Sequence, residues 1–214
     1  MKPESLKHLH NLYERTEDKY FKETIEAIIR LESETKSKGK FSLWDYVSKD
    51  DIRPSMRCIL HDSGLKVASD AHILVVLKED YPEDMECKLM KKDGTIEDMY
   101  VKFPNWRMCI PDPKKMAVAA RLDFAGIRAF ESDFKAKKKL DKRMKGYVKV
   151  GGSLFKLEYL IKAVRFMEHI GTDELMLSAD GKRAALAVSG DSKMVLMPAC
   201  PREKFEDNEV CYGI

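Results

Sequence analysis

A chain of 214 residues, 44% of them apolar, is long enough to bury a substantial core as one large domain or two small ones. Its formal charge of +3 is unevenly placed: 13 Lys and Arg stand against 6 Asp and Glu between Arg121 and Ile170, which leaves −4 for the rest. No window reaches the roughly 18 apolar residues that cross a bilayer, and the opening MKPESLKHLH lacks a signal's apolar centre, so a soluble, cytoplasmic protein without membrane contact is expected.

In chain order, residues 5–33 read as an amphipathic helix, because Leu6, Leu9, Tyr13, Tyr20, Ile25, Ile28 and Ile29 fall roughly three or four apart with charges between them. Residues 41–54 read as a short strand or a helical turn. Residues 57–61 read as a strand, Asp62-Ser63-Gly64 as a tight turn, and 65–77 as one long returning strand interrupted by the polar run Ser69-Asp70-Ala71-His72. A second hairpin, 87–90 and 96–101, turns at Lys92-Asp93-Gly94-Thr95. Residues 103–113, with three prolines, predict an extended connector and a domain boundary.

The second half opens with a strand over 116–120 and a helix from Asp123, with Phe124, Ile127, Phe130 and Phe134 as its buried stripe. Leu157, Leu160, Ile161, Val164 and Met167 predict another helix that stops at Gly171. Strands over 174–179, 183–189 and 193–198 follow, joined by glycine-containing turns into an antiparallel meander. The reading is α+β: antiparallel sheets with helices on one face, divided into residues 1–110, 111–200 and a tail, 201–214.

Several chemistries have no sequence support. There is no glycine-rich phosphate loop, dinucleotide fingerprint or H-E-x-x-H zinc motif, and the five cysteines form no C-x-x-C pair, so neither metal nor cofactor is expected. Asp70 and His72 share one face of a regular strand and suggest a general base, but no nucleophile or metal ligand accompanies them. The alternative is Asp70 bonding backbone in a bend. Ser63 reads as part of a turn, and His8, His10, His61 and His169 lack ligand spacing. The basic run FKAKKKLDKRMKG places Lys135, Lys138, Lys139 and Lys142 at helical intervals, and Lys162 and Arg165 lie on the later helix. Such faces suit the phosphates of duplex DNA, bound without sequence reading, or are simply solvated. No interleaved aromatics favour single strands.

Three segments together resemble the bacterial DNA polymerase sliding clamp (beta subunit) family. ASDAHIL, 68–74, is similar to the family's A-T-D-G-H-R-L. FPNWRMCIP, 103–111, is similar to F-P-D-Y-R-x-V-x-P. LEYLIKAVRF with the meander ending MVLMPA, 194–199, resembles the family's last helix and V-V-M-P-M. The resemblance implies a DNA clamp-like fold built here from two abbreviated repeats. It also implies a groove where the three segments converge and partners dock a short linear peptide. Carried over, that groove takes Ser69, Ala71, His72 and Leu74, then Pro104 and Cys109, then Val195, Met197 and Pro198. Ala71 and Ile73 replace the family's Gly and Arg, and Ala199 its terminal Met.

The expected function is therefore non-enzymatic: tethering on duplex DNA while docking a DNA polymerase or another clamp-binding protein of replication or repair, in a bacterium or phage. Ring closure by a chain this short requires a homo-oligomer. The alternative is an adaptor or decoy of a mobile element or phage that binds the same peptides without encircling DNA.

Overall fold

Two consecutive tight turns shape the first half of the protein. Ser63 and Gly64 take φ of 56° and 72°, the paired positive values of a two-residue hairpin, and join β1 (Ile59–Asp62) to β2 (Leu65–Ser69). The second turn replaces the single interrupted strand expected over 65–77. The chain reverses at Asp70, Ala71 and His72, and β3 (Ile73–Lys78) runs back antiparallel with Leu74 opposite Ser69. A period-two pattern cannot distinguish a kink from a reversal when both flanks are apolar, which is why the hairpin was hidden. The two-residue β4 (Leu89–Met90) pairs with β1 and bridges to Ile96.

The structure is a computed structural model and describes residues 41–50, 52–97, 101–116, 118–200 and 209–213. The helix expected over 5–33 lies outside the described residues, as do 98–100 of the second hairpin. Of the two readings of residues 41–54, a short strand or a helical turn, the described residues take the helical turn. They hold a short 3-10 turn, Leu43–Asp45, whose cap Ser42 accepts the Trp44 N–H, and a second begins at Pro54. Tyr46, 1% exposed, anchors this stretch by meeting Phe166 edge-on and donating its hydroxyl to the Lys162 carbonyl at 2.8 Å.

The second half follows the expected order with one addition. After β5 (Val118–Arg121), Asp123 accepts the Gly126 N–H at 3.0 Å and starts α1 (Phe124–Leu140). The unexpected element is a hairpin, β6 (Lys145–Val150) and β7 (Ser153–Lys156), turning at Gly151-Gly152. Then α2 (Leu157–Ile170) ends at Gly171, whose φ of 74° permits the left-handed cap. The meander is β8 (Glu174–Leu177), β9 (Ala185–Ser189) and β10 (Ser192–Leu196). Of the tail, Glu209–Gly213 forms β11, which runs parallel to β6, so the small sheet β11-β6-β7 is mixed rather than purely antiparallel.

The large sheet is antiparallel throughout, in the order β4-β1-β2-β3-β10-β9-β8-β5. Its two meanders lie back to back, β3 against β10, with Val75 opposite Met194. On one face Val67, Leu74, Val76, Leu186 and Val195 bury Trp106 of the connector. Alternation sends Ile73, Val75, Met194 and Leu196 to the other face, where α2 packs on β10 and β3 with Leu160, Ala163, Val164 and Met167. Among the described residues no helix is long and apolar enough to cross a membrane.

Candidate functional site

The polar run between β2 and β3 is a turn that satisfies itself. Asp70 Oδ1 accepts the N–H groups of His72 and Ile73, each at 3.0 Å. Ser69 Oγ accepts the Ala71 N–H at 3.2 Å and donates to the Ile73 carbonyl at 3.0 Å. The second Asp70 oxygen takes Lys162 Nζ of α2 at 2.8 Å, while the His72 ring stacks on Tyr159, centroids 4.7 Å apart. The two side chains that suggested a general base thus hold a bend and fasten it to a helix. Burial, with Asp70 and Glu158 nearby, pushes the Tyr159 phenol up to about 12.

Ala71 sits at φ 73°, a left-handed conformation that glycine adopts freely and alanine does not. Ala71→Gly is therefore expected to raise stability by about 0.5–1 kcal/mol, the relief of strain outweighing glycine's larger unfolded-state entropy. Urea denaturation checks the sign.

The connector is held by a polar latch. Trp106, 5% exposed, donates Nε1–H to Asp62 Oδ2 at 2.9 Å. Arg107 forks onto both Asp62 oxygens at 2.6 and 3.0 Å, reaches Ser63 Oγ at 3.0 Å, and lies 4.4 Å over the Trp106 ring. These donors hold the Asp62 carboxyl down at about 2. On the same strand His61, 2% exposed, leaves Nδ1 without a partner, and burial lowers its pKa.

Both shifts act in one direction. The unfolded chain takes up protons before the folded one does, so stability falls on acidification. The loss is expected to begin below the ordinary imidazole value of 6.5 and to resume between 3.8 and about 2 as Asp62 titrates. Asp62→Asn is expected to shrink the second step and His61→Phe the first, as read from urea midpoints against pH.

A groove of about 410 Å³ opens where turn, connector and the end of β10 meet. Ser69, Ala71, His72 and Leu74 line it from the turn and β3, Pro104 and Cys109 from the connector, and Val195 and Met197 from β10 and the residue that follows it. Pro198 is adjacent in sequence but does not line it. Leu74 and Val195 are nearly buried in its wall, whereas Met197 is 47% exposed at its rim, its N–H donated to the His72 carbonyl at 2.9 Å. Ile73, Phe103, Trp106, Arg53 and Met56 also line it and were not expected to. Phe103 and Trp106 lie inside the connector, 103–111, and were legible as large aromatic anchors. Arg53 and Met56 come from a stretch with no clear period and carried no signal.

The expected DNA-facing cations do not behave alike. Lys138 and Lys139 are exposed in the last turn of α1, Lys142 lies just beyond it, and Arg165 is exposed on α2. Lys135 pairs with Glu131 at 2.6 Å one turn back. Lys162 departs from the exposed cation expected, because Asp70 draws it into the turn and leaves it 27% exposed.

No protein-family model matches the chain, and no curated protein matches it. Solved structures do. One is the DnaN sliding clamp (DNA polymerase III subunit beta) from Bartonella birtlesii bound to griselimycin, with a TM-score of 0.51 and 15% identity over 78% of this chain and 64% of that one. Another is the C. crescentus beta sliding clamp with bound PEG, with a TM-score of 0.50 and 15% identity over 74% of this chain and 62% of that one. The chain spans less than two thirds of the length of the solved clamps it matches. It has a clamp-like α+β fold.

Proposed function

We propose that this protein is a non-enzymatic tether of sliding-clamp type that docks a short linear peptide of a replication or repair partner, such as a DNA polymerase, in the groove. The observation that carries the reading is the convergence of three segments far apart in sequence on one apolar hollow. Its size falls within the range of small-ligand and peptide-anchor pockets. Leu74, Val195 and Trp106 supply the apolar wall for a Leu or Phe side chain, and exposed Met197 supplies an adaptable rim.

In this reading two abbreviated clamp-type repeats lie within residues 1–110 and 111–200, and each gives four of the described strands to the large sheet. Duplex DNA is held loosely by Lys138, Lys139, Lys142 and Arg165, with Lys135 reinforcing the same helix. Copies of the chain associate in the cytoplasm to retain it. Four phosphate contacts give a log–log salt slope of about −3 to −4.

Fluorescence anisotropy tests both arms. A labelled clamp-binding peptide is expected to bind saturably, and labelled duplex DNA to bind at low salt with that slope, reduced in a Lys138→Gln, Lys139→Gln, Lys142→Gln variant. Peptide binding without any DNA binding rejects the tether in favour of a peptide adaptor; absence of peptide binding rejects the groove.

A further inference from the structure

We infer that the groove selects an acidic peptide, one that places a carboxylate beside its large apolar anchor, with Arg53 as the carboxylate's partner. This rests on the peptide-docking reading of the same groove and adds the chemistry of what is docked. Charge is the ground for it. Arg107, next to the lining residue Trp106, is neutralised by Asp62, and Lys162, beneath the turn, by Asp70. Arg53 lines the groove itself, and among the described residues no carboxylate does. Among the described residues Arg53 forms no ion pair, and its guanidinium makes only a 4.0 Å contact to the Met56 sulfur within the same short turn.

Among the described residues the groove therefore presents an apolar floor with one cation at its edge, Arg53, that no carboxylate neutralises. A guanidinium on this edge offers a planar fork to a carboxylate, while a neutral peptide leaves it hydrated and unused. Because the pair would form at an exposed rim, it adds selectivity rather than most of the affinity.

The test uses the full chain and labelled decapeptides containing adjacent Leu and Phe flanked by two Glu, two Gln or two Lys. The Glu peptide is expected to bind about threefold to fivefold more tightly than the Gln peptide at low ionic strength. That margin should vanish near 1 M salt, where the screening length is about 3 Å. It should also vanish in Arg53→Gln, and Arg53→Glu should reverse the order in favour of the Lys peptide. Equal affinity of the Glu and Gln peptides for the wild-type protein, or an undiminished Glu preference in Arg53→Gln, overturns the inference and leaves the groove intact. Failure of all three peptides to bind overturns the groove reading itself.

Discussion

Trp106→Ala is expected to lower stability by about 3–5 kcal/mol and to abolish peptide binding together with it. The indole is the one large connector side chain buried against Val67, Leu74, Val76, Leu186 and Val195, so its loss leaves a cavity where the two meanders meet. It also frees Asp62 Oδ2 from its indole donor and removes the surface on which Arg107 stacks. Trp106→Phe separates packing from hydrogen bonding. It keeps most of the apolar volume, is expected to cost about 1–2 kcal/mol, and should retain the groove. Urea denaturation of both variants, with anisotropy at denaturant concentrations where each is folded, distinguishes a lost wall from a lost fold.

Met197→Asp has the opposite profile. Met197 is half exposed at the rim, so stability should change by no more than about 0.5 kcal/mol. Peptide affinity should nevertheless fall by about 30-fold or more, because a carboxylate set against Leu74, Val195 and Phe103 must be desolvated when an apolar anchor enters. Met197→Leu keeps the apolar rim and should bind nearly as well as the wild type. Equal loss in the Leu and Asp variants would mean that Met197 acts through the backbone bond to His72 and not through its side chain.

Much of the architecture was legible because its signals were local. The spacing of Leu157, Leu160, Val164 and Met167 with Gly171 beyond them marks α2 almost to the residue, and glycine turns mark the meander β8-β9-β10. What could not be read is what depends on distant pairing. The β3–β10 pairing that joins the halves is a tertiary event, and nothing in Ile73–Lys78 states its partner. In the β6–β7 hairpin Lys145, Lys149 and Lys156 interrupt the apolar run, although Gly151-Gly152 between Val150 and Ser153 is a turn signal.

The groove divides in the same way. Its turn and β10 residues follow from the resemblance of short segments. The Asp62–Arg107–Trp106 latch joins residues more than forty positions apart, and Arg53 enters from a turn without periodicity. Lys162 shows the limit of reading charge along a helix. Its position marks it as exposed, yet the acceptor that claims it sits 92 residues away in the β2–β3 turn.

The central claim is that three distant segments form one peptide-binding hollow, and methyl NMR of the protein labelled at Met, Leu and Val tests it directly. On titration with the Leu-Phe peptide, shifts should concentrate at Met56, Leu74, Val195 and Met197, while Met144 and Leu157, which line a separate cavity, stay in place. Saturable binding that moves Met144 and Leu157 and leaves Leu74 and Met197 untouched would contradict the account.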